Sequence, residues 1–167
     1  MGEGDIESPL VFVGEAPGRK EDETGRPFVG SAGRLLDRLL SHIGLDRSEV
    51  YITNVVKCRP PGNRRPRSGE VRSCTPYLDE QLAVISPRVI APMGNSAAAH
   101  LLRRFGLGRS SIGEIHGRVF DVEAPWGRAA LIPLYHPAAI LYNRGLEAEL
   151  TQDFESLKAL LDSGGPR

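Results

Sequence analysis

Four short apolar runs, separated by stretches of helical periodicity, most restrict what this chain can fold into. They are Leu10–Gly14, Val50–Asn54, Arg88–Gly94 and Arg128–Tyr135. Strands that alternate with helices give a parallel sheet covered on both faces. In such a sheet the strand C-termini share one edge, and sites are built on that edge. Three of the runs stop on a group that carries chemistry. Leu10-Val-Phe-Val-Gly14 leads into Glu15, Val50-Tyr-Ile-Thr ends in Asn54, and the run through Leu134-Tyr135 ends in His136. One pocket where a carboxylate, an amide and an imidazole face each other is therefore expected.

The intervening segments complete an α/β reading. Ser31–Ile43 is amphipathic and closes on Gly44, and Ser68 is placed to cap a helix over residues 69–85. Asn95 is placed to cap another, and Glu147–Leu161 forms the last. Gly117–Glu123 and Arg128–Tyr135 read as a hairpin around Pro125-Trp126-Gly127. The expectation is a three-layer αβα sandwich on a central, mostly parallel four-stranded sheet. It forms a single domain over residues 1–163, with a frayed tail at 164–167.

Charge is balanced overall, with 21 basic and 21 acidic residues, which argues against coating nucleic acid by bulk charge. Its distribution is uneven. Lys57, Arg59, Arg64, Arg65, Arg67 and Arg72 stand against Glu70 alone, whereas residues 145–162 are acidic. A charge run reads equally as a solvated face or as a phosphate-contacting segment. Pro60, Pro61, Gly62 and Pro66 make this one a loop rather than a helix face. There is no run of about 18 apolar residues to span a membrane. The acidic opening lacks the basic and apolar regions of a signal peptide, so a cytoplasmic location is expected.

Taken singly, the motifs are weak. Gly14-Glu-Ala-Pro-Gly18 is a glycine turn that lets backbone approach a ligand, and it matches neither common phosphate-binding fingerprint. Phe28 is either a satellite core residue or an aromatic platform. Cys58 and Cys74 bracket the basic loop; two buried thiols are one reading of them, and a disulfide is disfavoured in a cytoplasmic chain. His42, His100 and His116 read as surface or satisfied structural histidines.

Together the motifs are far more specific. Gly14–Gly18, Gly25-Arg-Pro-Phe-Val-Gly-Ser-Ala-Gly-Arg-Leu-Leu36, Thr53-Asn-Val-Val-Lys-Cys-Arg-Pro-Pro-Gly-Asn-Arg64, Cys74 and His136-Pro137 occur in one order. This series resembles the family 4, iron–sulfur uracil-DNA glycosylases over about residues 10–160. The resemblance implies flipping of uracil out of DNA and hydrolysis of its N-glycosidic bond, leaving an abasic site for base excision repair. It implies that Phe28 stacks on the base, Asn54 reads its edge, and Gly14, Glu15 and Ala16 contact the base and the attacking water. His136 then faces uracil O2, and Arg59, Arg64, Arg65 and Arg67 meet DNA. Ala16 stands where another branch of the superfamily has an aspartate base. Glu15 and Glu21 are the candidate carboxylates, undecided by sequence, and Asn63 is a further polar candidate.

The same resemblance makes Cys58 and Cys74 two of four ligands to a 4Fe–4S cluster. Family members carry the other two as a Cys-x-x-Cys ahead of the first strand, and this chain has no such pair. The expectation is that Met1 is a misplaced start and that the pair lies upstream of it. No nucleotide cofactor is implied, nor is a lysine nucleophile for strand cleavage, which makes the enzyme monofunctional. The chain is read as a monomer, and docking of a sliding clamp is left open. The alternative is a non-catalytic nucleic-acid- or nucleotide-binding domain of the same fold, inactive without its N-terminal segment.

Overall fold

A computed structural model describes residues 2–164. In chain order they form β1 (Gly2–Gly4), β2 (Leu10–Gly14), α1 (Arg19–Thr24), α2 (Ser31–His42) and β3 (Tyr51–Asn54). Next come α3 (Ser68–Ile85), β4 (Val89–Pro92), α4 (Asn95–Arg104) and α5 (Ile112–Ile115). The chain ends with β5 (Phe120–Ala124), β6 (Gly127–Leu131), α6 (Ala139–Tyr142) and α7 (Glu147–Asp162). Of the tail expected at 164–167, residues 165–167 lie outside the described residues. Gly164 is tied down, because its carbonyl accepts from Arg88.

The sheet order is β1-β3-β2-β4-β6-β5. The four inner strands are parallel, as expected. The sheet is wider than four strands, because antiparallel β1 and β5 close its two edges. Alternate residues of β2 serve opposite faces, as a pleat requires. Leu10 and Phe12 pack with Leu36, Leu40 and Phe154 under α2 and α7. Val11 and Val13 pack with Leu78, Leu82 and Leu101 under α3 and α4. The result is the three-layer sandwich. Among the described residues no helix is long and apolar enough to cross a membrane.

Two helix starts differ from the sequence reading. Glu70, rather than Ser68, caps α3, with its carboxylate accepting from the Arg67 N–H at 2.8 Å. Asn95 lies inside α4, and its Oδ1 accepts from Ile112 N–H at 2.9 Å, tying α5 to α4. At α3 another local cap takes the place of Ser68, whereas at α4 a partner 17 residues away takes the Asn95 side chain.

Edge strand β1 has too little apolar surface to hold itself, and ion pairs secure it. Glu3 accepts from Arg26 Nε at 2.6 Å and from Arg47 Nε at 3.1 Å. Arg26, opposed by burial and assisted by Arg47, lowers the Glu3 carboxyl from its ordinary 4.5 to about 2. A depressed carboxylate contributes stability that is present above its unfolded pKa and lost as pH falls through the folded one. Glu3→Gln should therefore cost up to about 1 kcal/mol near neutrality. The difference between the two proteins should shrink as pH falls below about 4.5 and vanish only below about pH 2, as checked by urea unfolding across pH.

Candidate active site at the strand C-termini

Gly14 and Asn54 are paired across β2 and β3, so both reach the same sheet edge. Beyond β4 and β6, Met93 bridges Leu134 in parallel, which carries His136 to that edge too. Asn54 is 2% exposed. Its side-chain Oδ1 is buried with no hydrogen-bond partner. A buried acceptor left unmatched costs about 1–3 kcal/mol. Such an acceptor is available to a group that enters the site.

Phe28 supplies a flat wall. Its ring stacks on His136, with centroids 5.5 Å apart and planes 28° from parallel. Its backbone is in the left-handed region at φ 51°, an uncommon state for a bulky residue that needs support from its surroundings. That support comes from two sides. Arg47 donates to the carbonyls of Pro27 and Phe28. Glu21 Oε1 accepts from the N–H groups of Val29 and Gly30, at 3.0 and 2.9 Å. Burial alone would raise the Glu21 pKa, but backbone donors led by Gly30 outweigh it and hold the carboxyl lower. Gly33 allows α2 to start directly against Phe28, since a Cβ there would collide with the Phe28 carbonyl.

The surroundings of the His136 imidazole favour its neutral form. Its Nδ1 accepts from the Ala138 N–H at 3.1 Å. Burial lowers its pKa, against the opposing charges of Glu15 and Glu21. A neutral ring whose Nδ1 is an acceptor carries its proton on Nε2. His136 thus presents an N–H donor to the pocket.

Gly14 forms the floor. A Cβ there would lie 2.7 Å from Phe28 Cζ and inside contact with Asn54 Oδ1. Gly14→Ala should displace the wall or the amide and reduce ligand turnover by about 10-fold or more, the range for a small misplacement of a positioned group. A single-turnover assay checks this, and wild-type rates would show that the space is not used.

Comparison with known proteins agrees with this geometry. The chain matches the uracil DNA glycosylase superfamily over residues 1–159. It is 47% identical to the type-4 uracil-DNA glycosylase of Archaeoglobus fulgidus, across 99% of this chain and 83% of that protein. It is 44% identical to the type-4 uracil-DNA glycosylase of Sulfurisphaera tokodaii, across 95% and 73%. A type-5 uracil-DNA glycosylase from Thermus thermophilus is 35% identical, across 81% and 67%. The chain belongs to the uracil-DNA glycosylase superfamily.

Within that family frame, the structure brings Gly14, Phe28, Asn54 and His136 together, with Glu15 and Glu21 alongside. Asn63 is on an exposed turn, where its Oδ1 accepts from Arg59 Nε at 2.6 Å. The loop arginines are not equivalent. Arg64 is engaged through both terminal nitrogens by Glu70, at 2.9 and 2.6 Å, whereas Arg65 lines an open groove that Glu15 also lines. His100 departs from the sequence reading, being neither a surface nor a satisfied histidine. It lines that groove, its Nε2 is buried without a partner, and burial above all lowers its pKa. His42 and His116 conform, paired with Glu155 and Asp153.

Cys58 and Cys74 line a separate groove of about 560 Å³. The Lys57 N–H points at Cys74 Sγ, 3.4 Å away. Two thiols facing one cleft fit half of the four-thiolate set that a 4Fe–4S cluster needs. Among the described residues no group of three or more metal-ligand side chains gathers there. These residues alone do not complete the cluster, and no chemical step is assigned to it.

Proposed function

We propose that this protein is a DNA repair glycosylase that hydrolyses the bond between uracil and deoxyribose in DNA. The observation that carries this reading is the lone buried Oδ1 of Asn54, set beside the stacked Phe28–His136 pair above a glycine floor. A flipped uracil fills such a space with its ring on Phe28. Its edge offers one N–H and one carbonyl, which a primary amide matches with its oxygen and its N–H.

The residues then divide the work. As the C1′–N1 bond breaks, its electron pair leaves with uracil and charge builds on O2. The Nε2–H of His136 donates to that oxygen, an interaction that strengthens as the charge grows. The sugar becomes cationic, and water adds to C1′ to leave a hydroxyl there, the proton it gives up being taken by the departing uracil anion. Ala16 has no group to activate that water. Glu15, at the mouth of the pocket, opposes the sugar cation and orients the water. Glu21 acts by holding the Phe28 loop. Leu141 and Tyr142 stand exposed on α6, just past His136; Tyr142 is 91% exposed and can fill the gap that the base leaves in the stack. Lys57, a conceivable strand-cleaving amine, has its Nζ tied to Thr53, Asn54 and Gln81, which supports simple hydrolysis.

The test is release of free uracil from an oligonucleotide bearing one uracil, followed by alkaline cleavage at the abasic site. If no uracil appears although the strand binds, the protein is a non-catalytic nucleic-acid-binding domain. For the cluster, Cys58 and Cys74 are proposed as two of its four ligands. The chain on its own should hold less than one iron atom per molecule after reconstitution, because a cubane needs four thiolates. Supplying a Cys-x-x-Cys segment upstream should raise the content, and Cys58→Ala should cancel the gain. A full complement on the unextended chain would place the remaining ligands elsewhere.

A further inference from the structure

The groove that Glu15 helps to line runs between α3 and α4, and its charge is not balanced. It has a volume of about 700 Å³ and is walled by Arg65, Arg72, Arg103 and Arg104. Glu15 is the one carboxylate lining it. Arg104 is compensated by Asp79, 3.0 Å away. Among the described residues Arg65, Arg72 and Arg103 have no carboxylate partner. They come from three separate segments, the basic loop, α3 and α4, yet face one cleft. Unpaired guanidiniums held together repel one another unless an anion joins them.

The floor differs from the walls. Buried Val55 and Val56 and half-buried Val71 make it apolar, and the unpartnered Nε2 of His100 is the buried polar group within it. A duplex presents only sugar and phosphate to such a cleft and keeps its base faces stacked inside. An unpaired strand presents both phosphates and base faces, and guanidinium planes serve as stacking surfaces for bases. The volume is that of a site for one small molecule, in the range of about 300–1,000 Å³, rather than a cradle for a double helix.

We propose that this groove seats the unpaired continuation of the uracil-bearing strand, so that the substrate is engaged as single-stranded DNA on one side of the extruded base. This rests on the glycosylase reading and extends it to the form of the substrate. Arg72 and Arg103 then contact phosphates, and His100 meets a base edge or a phosphate oxygen.

The test compares the full chain with the double variant Arg72→Gln/Arg103→Gln. Anisotropy with a labelled, uracil-free single strand should show about tenfold weaker binding. The log–log salt dependence should be shallower by about 1.4, two phosphates at about 0.7 each for single strands. Binding to the matched duplex should change less than twofold. In excision assays, KM on a long single-uracil strand should rise with kcat unchanged. That rise should disappear when the strand is cut back to the uracil on one side only. Arg38→Gln/Lys158→Gln, which removes the same charge from the α2–α7 layer, should leave all these values alone. Equal losses on single strand and duplex, a KM rise that survives both truncations, or no loss at all would overturn the proposal. Failure of the glycosylase reading is separable: the unmodified protein would release no uracil, while the anisotropy arm would still report on the groove.

Discussion

His136→Ala is expected to lower the single-turnover rate of uracil excision by about 10²- to 10³-fold, the usual loss when one aimed donor is removed from a site of developing negative charge. The reasoning is geometric. The Ala138 N–H occupies Nδ1, so the one proton of the neutral ring sits on Nε2. Burial favours the neutral ring, and a second proton would set Nδ1–H against the Ala138 N–H. Substrate affinity should change far less than the rate, because the bond to O2 matters most when charge has built up there. Thermal unfolding should shift little, since the ring keeps part of its surface open. A mutant within a few-fold of the natural rate would remove His136 from the chemistry.

Asn54→Asp should reduce uracil excision by about 10- to 100-fold, what a mismatched buried polar group of about 1–3 kcal/mol is worth. At this 2%-exposed position no hydrogen-bond partner meets Oδ1, and Lys57 Nζ is spent on the backbone carbonyl, so burial will push the pKa of a carboxyl up and favour the protonated form. A protonated carboxyl offers a donor and an acceptor in either order and therefore discriminates poorly between uracil and cytosine. The ratio of uracil to cytosine release should fall along with the uracil rate. If neither the rate nor the ratio moves, Asn54 does not read the base.

The parts of this site visible in the sequence are those fixed by single strands. Gly14, Asn54 and His136 each follow an apolar run, and a parallel sheet must bring the ends of such runs together. The hidden parts depend on pairings between segments. Glu21 reads as a catalytic carboxylate until its Oε1 is seen holding the backbone of Val29 and Gly30. Arg64 reads as a DNA contact until Glu70 is seen to neutralise it. Arg72, Arg103 and His100 lie on helices whose periodicity gives the apolar face but not which polar residues share a cleft. Strand β1, Gly2–Gly4, has no alternation to recognise, and it exists through backbone pairing to β3 and through Glu3. The inner four strands and the helices on both faces followed directly from hydrophobic pattern, which is the term that dominates burial.

Arg47 has a practical consequence for anyone handling this protein. The same guanidinium that holds the carbonyls under Phe28 also grips Glu3 and Asp37. The opening strand and the base-stacking ring therefore share one anchor. A purification tag or fusion partner that tugs on residues 2–4 would pull on that anchor and slacken the ring at a distance. Loss of turnover in such a fusion would look like damaged chemistry although every reacting group was intact. Preparations that differ only in what precedes Glu3 should be compared by activity before any substitution in the pocket is interpreted.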